Sequence, residues 1–359
     1  MPQATHNSSV LQSFVERRWY GRAGLLYLLS PLELLFRGVA RLRKVRQIQN
    51  QASLSVPVIV VGNISVGGTG KTPVVKALVR WAQQNGYQPG VVSRGYGRES
   101  TGIKNVALQQ DAAQVGDEPL EIYASTAAPV FVGENRYEAA QALLQAHPCN
   151  LIISDDGLQH YRLARDFEII VVDAGRLFGN GHCLPVGPLR EPVSRLRSVD
   201  AILLAGAESG EACGGEPQIS SAKSIALESP EFAGSAPQYS YRVAPVALVN
   251  IKSGERFPLQ QLHQFEELAA VAAIGQPTKF FKLLEALLPK GCLNFSKHEF
   301  PDHHNFSKSD FDGVTQKTIV MTEKDAVKCT GFATAQWWYI AIDAQLPQAF
   351  FSQVHTALR

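Results

Sequence analysis

Val58-Ile-Val-Val-Gly-Asn-Ile-Ser-Val-Gly-Gly-Thr-Gly-Lys-Thr72 decides the fold. A β-branched apolar run enters a glycine-rich turn, and Gly70-Lys71-Thr72 then opens a helical pattern that reaches Gln84. Strand, turn, Lys-Thr and helix in this register form a phosphate-binding loop. Gly67, Gly68 and Gly70 let backbone N–H groups crowd round phosphate oxygens. The helix N-terminus adds partial positive charge. Lys71 can reach the β- and γ-phosphates, and Thr72 can ligate Mg²⁺. The generic G-x-x-x-x-G-K-[ST] pattern wants glycine at position 65, where this chain has Ser65. Ser65, Val66, Gly67, Gly68, Thr69, Gly70, Lys71 and Thr72 are the expected nucleotide-binding residues.

Working outward from the loop, short apolar runs alternate with helical stretches. Strands are expected at Val58–Val61, Gly90–Ser93, Val130–Val132, Leu151–Ser154, Ile169–Val172 and Ala201–Ala205, with helices at Thr72–Gln84 and Glu134–Ala146. Continuous apolar strands followed by helices imply a parallel sheet covered on both faces. The stretch Glu208–Gln238 is rich in Gly, Ser, Ala, Glu and Pro and reads as a boundary or loop region. Beyond it come a strand at Val271–Ile274, a helix at Thr278–Leu288, and strands at Thr318–Met321 and Trp338–Ile342. The expected fold is α/β: a P-loop NTPase-type parallel-sheet lobe, a second smaller α/β lobe, and an N-terminal amphipathic membrane-interface helix. The corresponding domains are residues 1–50, 51–238 and 239–359, with a ligand cleft between the two α/β lobes.

Net charge is only +2, which excludes a strongly basic nucleic-acid binder. The average hides an asymmetry: residues 1–50 carry +6 and the remainder −4. Ala23–Leu42 is too interrupted by Pro31, Glu33, Arg37 and Arg41 to span a membrane, and no signal-peptide cleavage pattern follows it. Ser30-Pro31-Leu32-Glu33 reads as an N-cap, a first-turn proline and a capping-box acid. Leu32, Leu35, Phe36, Val39 and Leu42 fall on one face, and Glu33, Arg37, Arg41 and Lys44 on the other. A leucine face with a basic face suits an anionic bilayer surface, and a helix packed on the protein's own core is the alternative. The five cysteines, at 149, 183, 213, 292 and 329, are scattered without a C-x-x-C pair, which fits a reducing compartment.

Further chemistry clusters at strand ends. Asn150-Leu-Ile-Ile-Ser-Asp-Asp156 ends in two acids, and either Asp155 or Asp156 can support loop-bound Mg²⁺. Gly157-Leu-Gln-His160 follows without a simple structural explanation. Gly116-Asp117-Glu118-Pro119 lies on an expected loop, where Asp117 can take a proton from a hydroxyl or contact Mg²⁺; an ordinary Asp turn is the alternative. Ser93-Arg-Gly-Tyr-Gly-Arg98 offers guanidiniums near phosphates. In Phe300-Pro-Asp-His-His-Asn-Phe306, adjacent histidines are poorly spaced for zinc, so hydrogen bonding or acid–base work is expected. Thr322-Glu-Lys-Asp325 puts Lys directly before Asp, the wrong order for the guanine-reading [NT]-K-x-D motif.

The residues 62–73 (GNISVGGTGKTP), the RGYGR run at 94–98, Gly116–Pro119, DDGLQH at 155–160, LPVGPLRE at 184–191, FPDHH at 300–304 and TEKD at 322–325 occur in that order. With the basic leucine-rich N-terminus they resemble the tetraacyldisaccharide 4′-kinase family, the lipid A 4′-kinases of Gram-negative bacteria. Ser65 in the loop is what that family has. The resemblance spans nearly the whole chain. It implies transfer of the ATP γ-phosphoryl group to the 4′-hydroxyl of a tetraacyldisaccharide 1-phosphate at the cytoplasmic face of the inner membrane. It implies ATP and Mg²⁺ as cofactors, with Thr72, Asp155, Asp156 and Glu118 at the metal. Asp117 is implied as base, paired with His303 from a second lobe that closes over the nucleotide. Arg94, Gln159, His160 and Arg190 are implied as supporting or substrate residues. Expected partners are the lipid disaccharide and anionic lipids of the membrane surface, with no nucleic acid, and the chain acting as a monomer. A conformational-switch NTPase and a nucleotide-dependent membrane adaptor are the competing readings.

Overall fold

The computed structural model describes residues 14–206, 232, 234–265, 267–288 and 295–359. Most of the Gly- and Ser-rich stretch 208–238, with Cys213, and also Cys292, lie outside the described residues. In chain order the main elements are α1 (Ser30–Gln49), β1 (Val58–Gly62), α2 (Lys71–Gln84), β2 (Pro89–Ser93), α3 (Asp117–Thr126), β3 (Val130–Val132), α4 (Arg136–Ala146), β4 (Leu151–Asp155), β5 (Phe167–Asp173) and β6 (Ala201–Ala205). They continue with β7 (Gln238–Asn250), β8 (Leu268–Ala272), α5 (Pro277–Leu287), β9 (Phe295–Glu299), β10 (Thr318–Thr322), α6 (Glu323–Cys329), β11 (Trp337–Gln345) and α7 (Gln348–Ala357).

The chain divides into two compact units, each discontinuous in sequence. The first takes Met1–Lys71, Ser154–Arg242 and Leu346–Arg359; the second takes Thr72–Ile153 and Val243–Gln345.

In the first unit β1, β5, β6 and the start of β7 pair in parallel, with Val61 opposite Ile169, Val171 opposite Leu203 and Leu204 opposite Ser240. Every residue of β1 is buried, as a parallel strand covered on both faces requires. Helix α7 docks here through fully buried Phe350 and Val354. Gln353 fixes it further, accepting from the Tyr239 hydroxyl at 2.8 Å and donating to the Asp200 carbonyl at 2.9 Å.

Helix α1 also belongs to the first unit, and it departs from the expected cap. A 3₁₀ segment, Gly24–Leu29, runs straight into it, so Ser30 is the first helical residue and caps nothing. Its hydroxyl donates back to the Tyr27 carbonyl at 2.6 Å. Glu33 closes no capping box. It is buried, accepting from the Cys183 N–H at 2.9 Å and lying 2.9 Å from His182 Nδ1. The inward stripe is Glu33, Phe36, Ala40, Lys44 and Gln47, spaced by three and four, while Leu32, Leu34, Leu35, Val39 and Leu42 are exposed. Leu28 and Leu35 are 78% and 63% exposed. Phe36 thus leaves the expected apolar face, and Glu33 and Lys44 turn toward the protein. The helix buries Glu33, half-buries Lys44 and leaves its leucines outside, the reverse of a helix packed on a core. No helix among the described residues is long and apolar enough to cross a membrane.

In the second unit β2 pairs with β3 in parallel, and α4 packs on them so closely that a Cβ at Gly90 would fall 2.5 Å from Leu143 Cδ2. The later strands form a parallel set in the order β9-β8-β10-β11. Side chains alternate across it. Leu268, Ala270 and Val320 meet Phe280, Phe281 and Leu284 of α5 on one face. Ala269, Val271, Ile319 and Met321 meet Phe311, Ala326 and Trp337 on the other. The expected strand at Val271–Ile274 begins three residues earlier, and β11 runs past the expected Ile342 to Gln345. Cys149, Cys183 and Cys329 are free and buried.

Candidate active site

In the first unit the glycine-rich loop is held from behind by residues 188–190. The Val66 N–H donates to the Pro188 carbonyl at 2.8 Å, and the Arg190 N–H to the Ile64 carbonyl at 2.7 Å. Ser65 forms an antiparallel bridge with Leu189. Gly67 and Gly70 have φ of +102° and +82°, while Ser65 is not among the positive-φ residues. Position 65 therefore demands no glycine, which accounts for the departure from the generic pattern. Lys71 Nζ lies 3.2 Å from Asn63 Oδ1 and 3.4 Å from Asp156 Oδ1. The Thr69 hydroxyl is buried with no hydrogen-bond partner, and a Cβ at Gly68 would meet nothing within 4 Å. An orphaned donor, open space at a glycine and a lysine at a helix start fit a nucleotide's phosphates.

Asp155, the last residue of β4, is fully buried. Asp156 follows with φ of +45° and lies 3.2 Å from an Arg190 guanidinium nitrogen as well as near Lys71. The structure thus gathers Lys71, Asp156 and Arg190. Gln159 is drawn elsewhere. It donates to Glu191 Oε1 at 3.1 Å, within a buried network in which Tyr161 and Arg195 also contact Glu191 and Arg195 pairs with Glu168. His160 is half-buried, and its carbonyl accepts from Arg165 at 2.6 Å. No group of three or more His, Cys, Asp or Glu among the described residues is arranged to hold a metal by itself. Mg²⁺ bound mainly through phosphates needs only one or two protein oxygens, a number that the carboxylates of Asp155 and Asp156 could supply within the first unit.

The second unit holds the other cluster. Asp117 is not on a loop: it is the first residue of α3, after Gly116 with φ of +91°. Pro119 in the first turn favours that helix start. His303 Nδ1 lies 3.0 Å and Lys328 Nζ 2.9 Å from the same atom, Asp117 Oδ2. His303 Nε2 is 3.2 Å from Lys324 Nζ, which also donates to Asp302 at 3.3 Å. An ammonium can only donate, so Nε2 accepts and the ring proton sits on Nδ1, facing Asp117. Burial pushes the Asp117 carboxyl upward, but the His303 hydrogen bond and the Lys328 charge outweigh it and hold it below its ordinary value.

His303 is held at φ of +61°, a strained conformation for a non-glycine residue. Its N–H donates to the Ala273 carbonyl at 3.3 Å. Ala273 is fixed in turn by Asp325, whose Oδ2 accepts from the Ala273 N–H at 2.9 Å and the Thr322 hydroxyl at 2.6 Å. The TEKD run is therefore the start of α6, with Thr322 as N-cap. Sequence reasoning tested that run for guanine reading and missed Lys324 and Lys328, one turn apart on α6. It also passed over Tyr96, which is 68% exposed with its ring 5.9 Å from that of His303. Arg94 is exposed, and Glu118 is half-buried in the first turn of α3.

The family model for tetraacyldisaccharide-1-P 4′-kinase matches residues 25–359. The chain is 43% identical over 345 residues to the tetraacyldisaccharide 4′-kinase of Pseudomonas aeruginosa (strain LESB58), covering 94% of this chain and 96% of that one. It is 42% identical over 351 residues to the enzyme of the same name from Methylobacillus flagellatus, covering 96% of each. The crystal structure of LpxK from Aquifex aeolicus in complex with ATP is similar to it, with a TM-score of 0.75 and 26% identity, over 93% of this chain and all of that one. The chain belongs to the tetraacyldisaccharide-1-P 4′-kinase family.

Proposed function

We propose that the chain transfers the γ-phosphoryl group of ATP to the 4′-hydroxyl of a tetraacyldisaccharide 1-phosphate, a step of lipid A biosynthesis, with Asp117 as base. The observation that carries this division of labour is the Asp117–His303 contact of 3.0 Å in a chain that also carries the Lys71 phosphate loop. A carboxylate held ionised and oriented by a neutral imidazole and an ammonium suits removal of a proton from a sugar hydroxyl.

In this reading Asp117 takes the 4′-hydroxyl proton as that oxygen bonds to the γ-phosphorus. The bond from the γ-phosphorus to the β–γ bridging oxygen breaks, and ADP leaves. His303 keeps the carboxylate turned toward the acceptor. Ser65 to Gly70 cradle the phosphates through backbone N–H groups, and Lys71 and Arg190 neutralise charge on them. Mg²⁺, held by Thr72 with Asp155, Asp156 or Glu118, would neutralise charge on the β- and γ-phosphates. Tyr96 offers an exposed ring beside His303, a surface that suits the apolar face of a pyranose.

The exposed leucines of α1, with Arg37, Arg41 and Arg43, support docking on an anionic bilayer at the cytoplasmic face of the inner membrane, where the acyl chains of the acceptor reside. Residues 1–50 serve as this membrane-associating segment of a monomer. The test is incubation with ATP–Mg²⁺ and a lipid disaccharide 1-phosphate, followed by mass analysis of the lipid. A mass gain of one phosphate supports the function. Its absence, with ATP hydrolysis indifferent to the lipid, would sink it.

A further inference from the structure

Within the second unit a lysine is buried in a place the transfer chemistry does not use. Lys76 is fully buried in α2, its Nζ 2.9 Å from Glu121 Oε1 and 2.8 Å from Glu323 Oε1. Both carboxylates are buried, and Glu323 Oε2 also accepts the Ile342 N–H at 3.1 Å. Each member lies at a telling place. Lys76 is one helical turn after Thr72 in α2, and Glu121 is one turn after Asp117 in α3. Glu323 opens α6, the helix that carries Lys324 and Lys328 to the Asp117–His303 pair.

We propose that Lys76 and Glu121 are positioning residues for the phosphoryl transfer. One buried ammonium pins the helix that starts the metal-side threonine, the helix that starts the base, and the helix that charges the base. The proposal rests on Asp117 being the base.

Stability alone does not account for the triad. Two carboxylates facing one ammonium leave a surplus negative charge in the interior, and burial pushes the Glu323 carboxyl upward. Apolar residues of similar volume commonly serve stability as well or better at such sites. What they do not supply is direction. An ammonium with two short, charged hydrogen bonds fixes the rotation and axial position of each helix, whereas apolar side chains tolerate sliding. In-line transfer is sensitive to this, since a misplacement of about 1 Å can cost about 10²-fold in rate.

The experiment compares Glu121→Leu and Glu121→Gln in the full chain with ATP–Mg²⁺ and lipid substrate, alongside Asp117→Asn. Glu121→Leu removes the surplus charge and cuts the tie to α3, leaving Lys76 and Glu323 as a neutral pair. Its melting temperature is expected at or above the parent's, with KM for ATP within about twofold and kcat at least about tenfold lower. Glu121→Gln keeps an oxygen for Lys76 and is expected to retain kcat within about threefold. Full kcat in Glu121→Leu would overturn the proposal. So would failure of that variant to fold, because the carboxylate would then serve stability, and so would equal loss of kcat in both variants. If Asp117→Asn keeps its turnover, the base assignment fails on its own, separately from the triad.

Discussion

Replacing Leu28, in the 3₁₀ segment before α1, and Leu35, in α1, together with serine tests whether these outward leucines hold the protein on a membrane. Leu28 is 78% and Leu35 63% exposed, so most of each side chain is still in water. Full burial of a leucine is worth about 1.5–3 kcal/mol. Scaled by those exposures, insertion gains about 1.5 kcal/mol from each, or about 3 kcal/mol together. Partitioning onto vesicles is therefore expected to fall by about 10²-fold. The assay is co-sedimentation with vesicles containing anionic phospholipid, at fixed lipid and salt. Thermal unfolding serves as the control: neither leucine is buried in the fold, so the melt is expected to move by less than about 0.5 kcal/mol. Raising the salt should weaken binding of the parent too, since the basic side chains near the surface contribute about 1 kcal/mol each. Partitioning that stays within about threefold of the parent, with the melt unchanged, would refute the reasoning: the leucines would not be the inserted surface.

Asp117→Asn should lower kcat by about 10²-fold or more while leaving KM for ATP nearly unchanged, as measured by steady-state kinetics. The same variant should flatten the acid side of the stability curve. A carboxyl held below its ordinary value contributes stability at neutral pH that is lost as pH falls below about 4, and asparagine has no such term to lose. Tyr96→Ala is expected to raise KM for the lipid acceptor with KM for ATP unchanged; a rise in KM for ATP instead would place the nucleotide, not the sugar, against that ring. Glu33→Ala strands the buried Cys183 N–H and the His182 ring, and should cost about 2 kcal/mol by chemical denaturation. An unchanged midpoint would show that water takes over those hydrogen bonds.

The phosphate loop was legible because its chemistry is local: strand, glycines, lysine and helix start fall within fifteen consecutive residues. The acids at 155–156 were legible for the same reason, as an apolar strand ending in charge. Asp117 was found but misplaced onto a loop, because the positive φ of Gly116 that lets α3 begin there leaves no mark beyond the glycine itself. The role of Lys328 was invisible because its partner Asp117 lies more than two hundred positions earlier, and that of Lys324 because it shows only once the chain brings Asp302 and His303 against α6. The faces of α1 were assigned by the usual rule that charge points outward. Glu33 breaks that rule, since it has found donors at His182 and Cys183 that no local pattern announces. Gln159 shows the converse, a motif residue whose amide is spent on Glu191.

The docking of α7 has a consequence for synthesis. The unit that carries the phosphate loop from the first part of the chain is closed by Phe350, Gln353 and Val354 near its far end. On a ribosome, chains emerge N-terminus first, at about 5–20 residues per second. The loop's own strand, from Val58, is thus made well before α7, from Gln348, and its unit waits for all of the chain between them to be translated. During that interval Val58–Val61 must be kept from pairing wrongly. A chain that stops before Gln348 would contain every group proposed above to react and still lack the helix that completes the first unit.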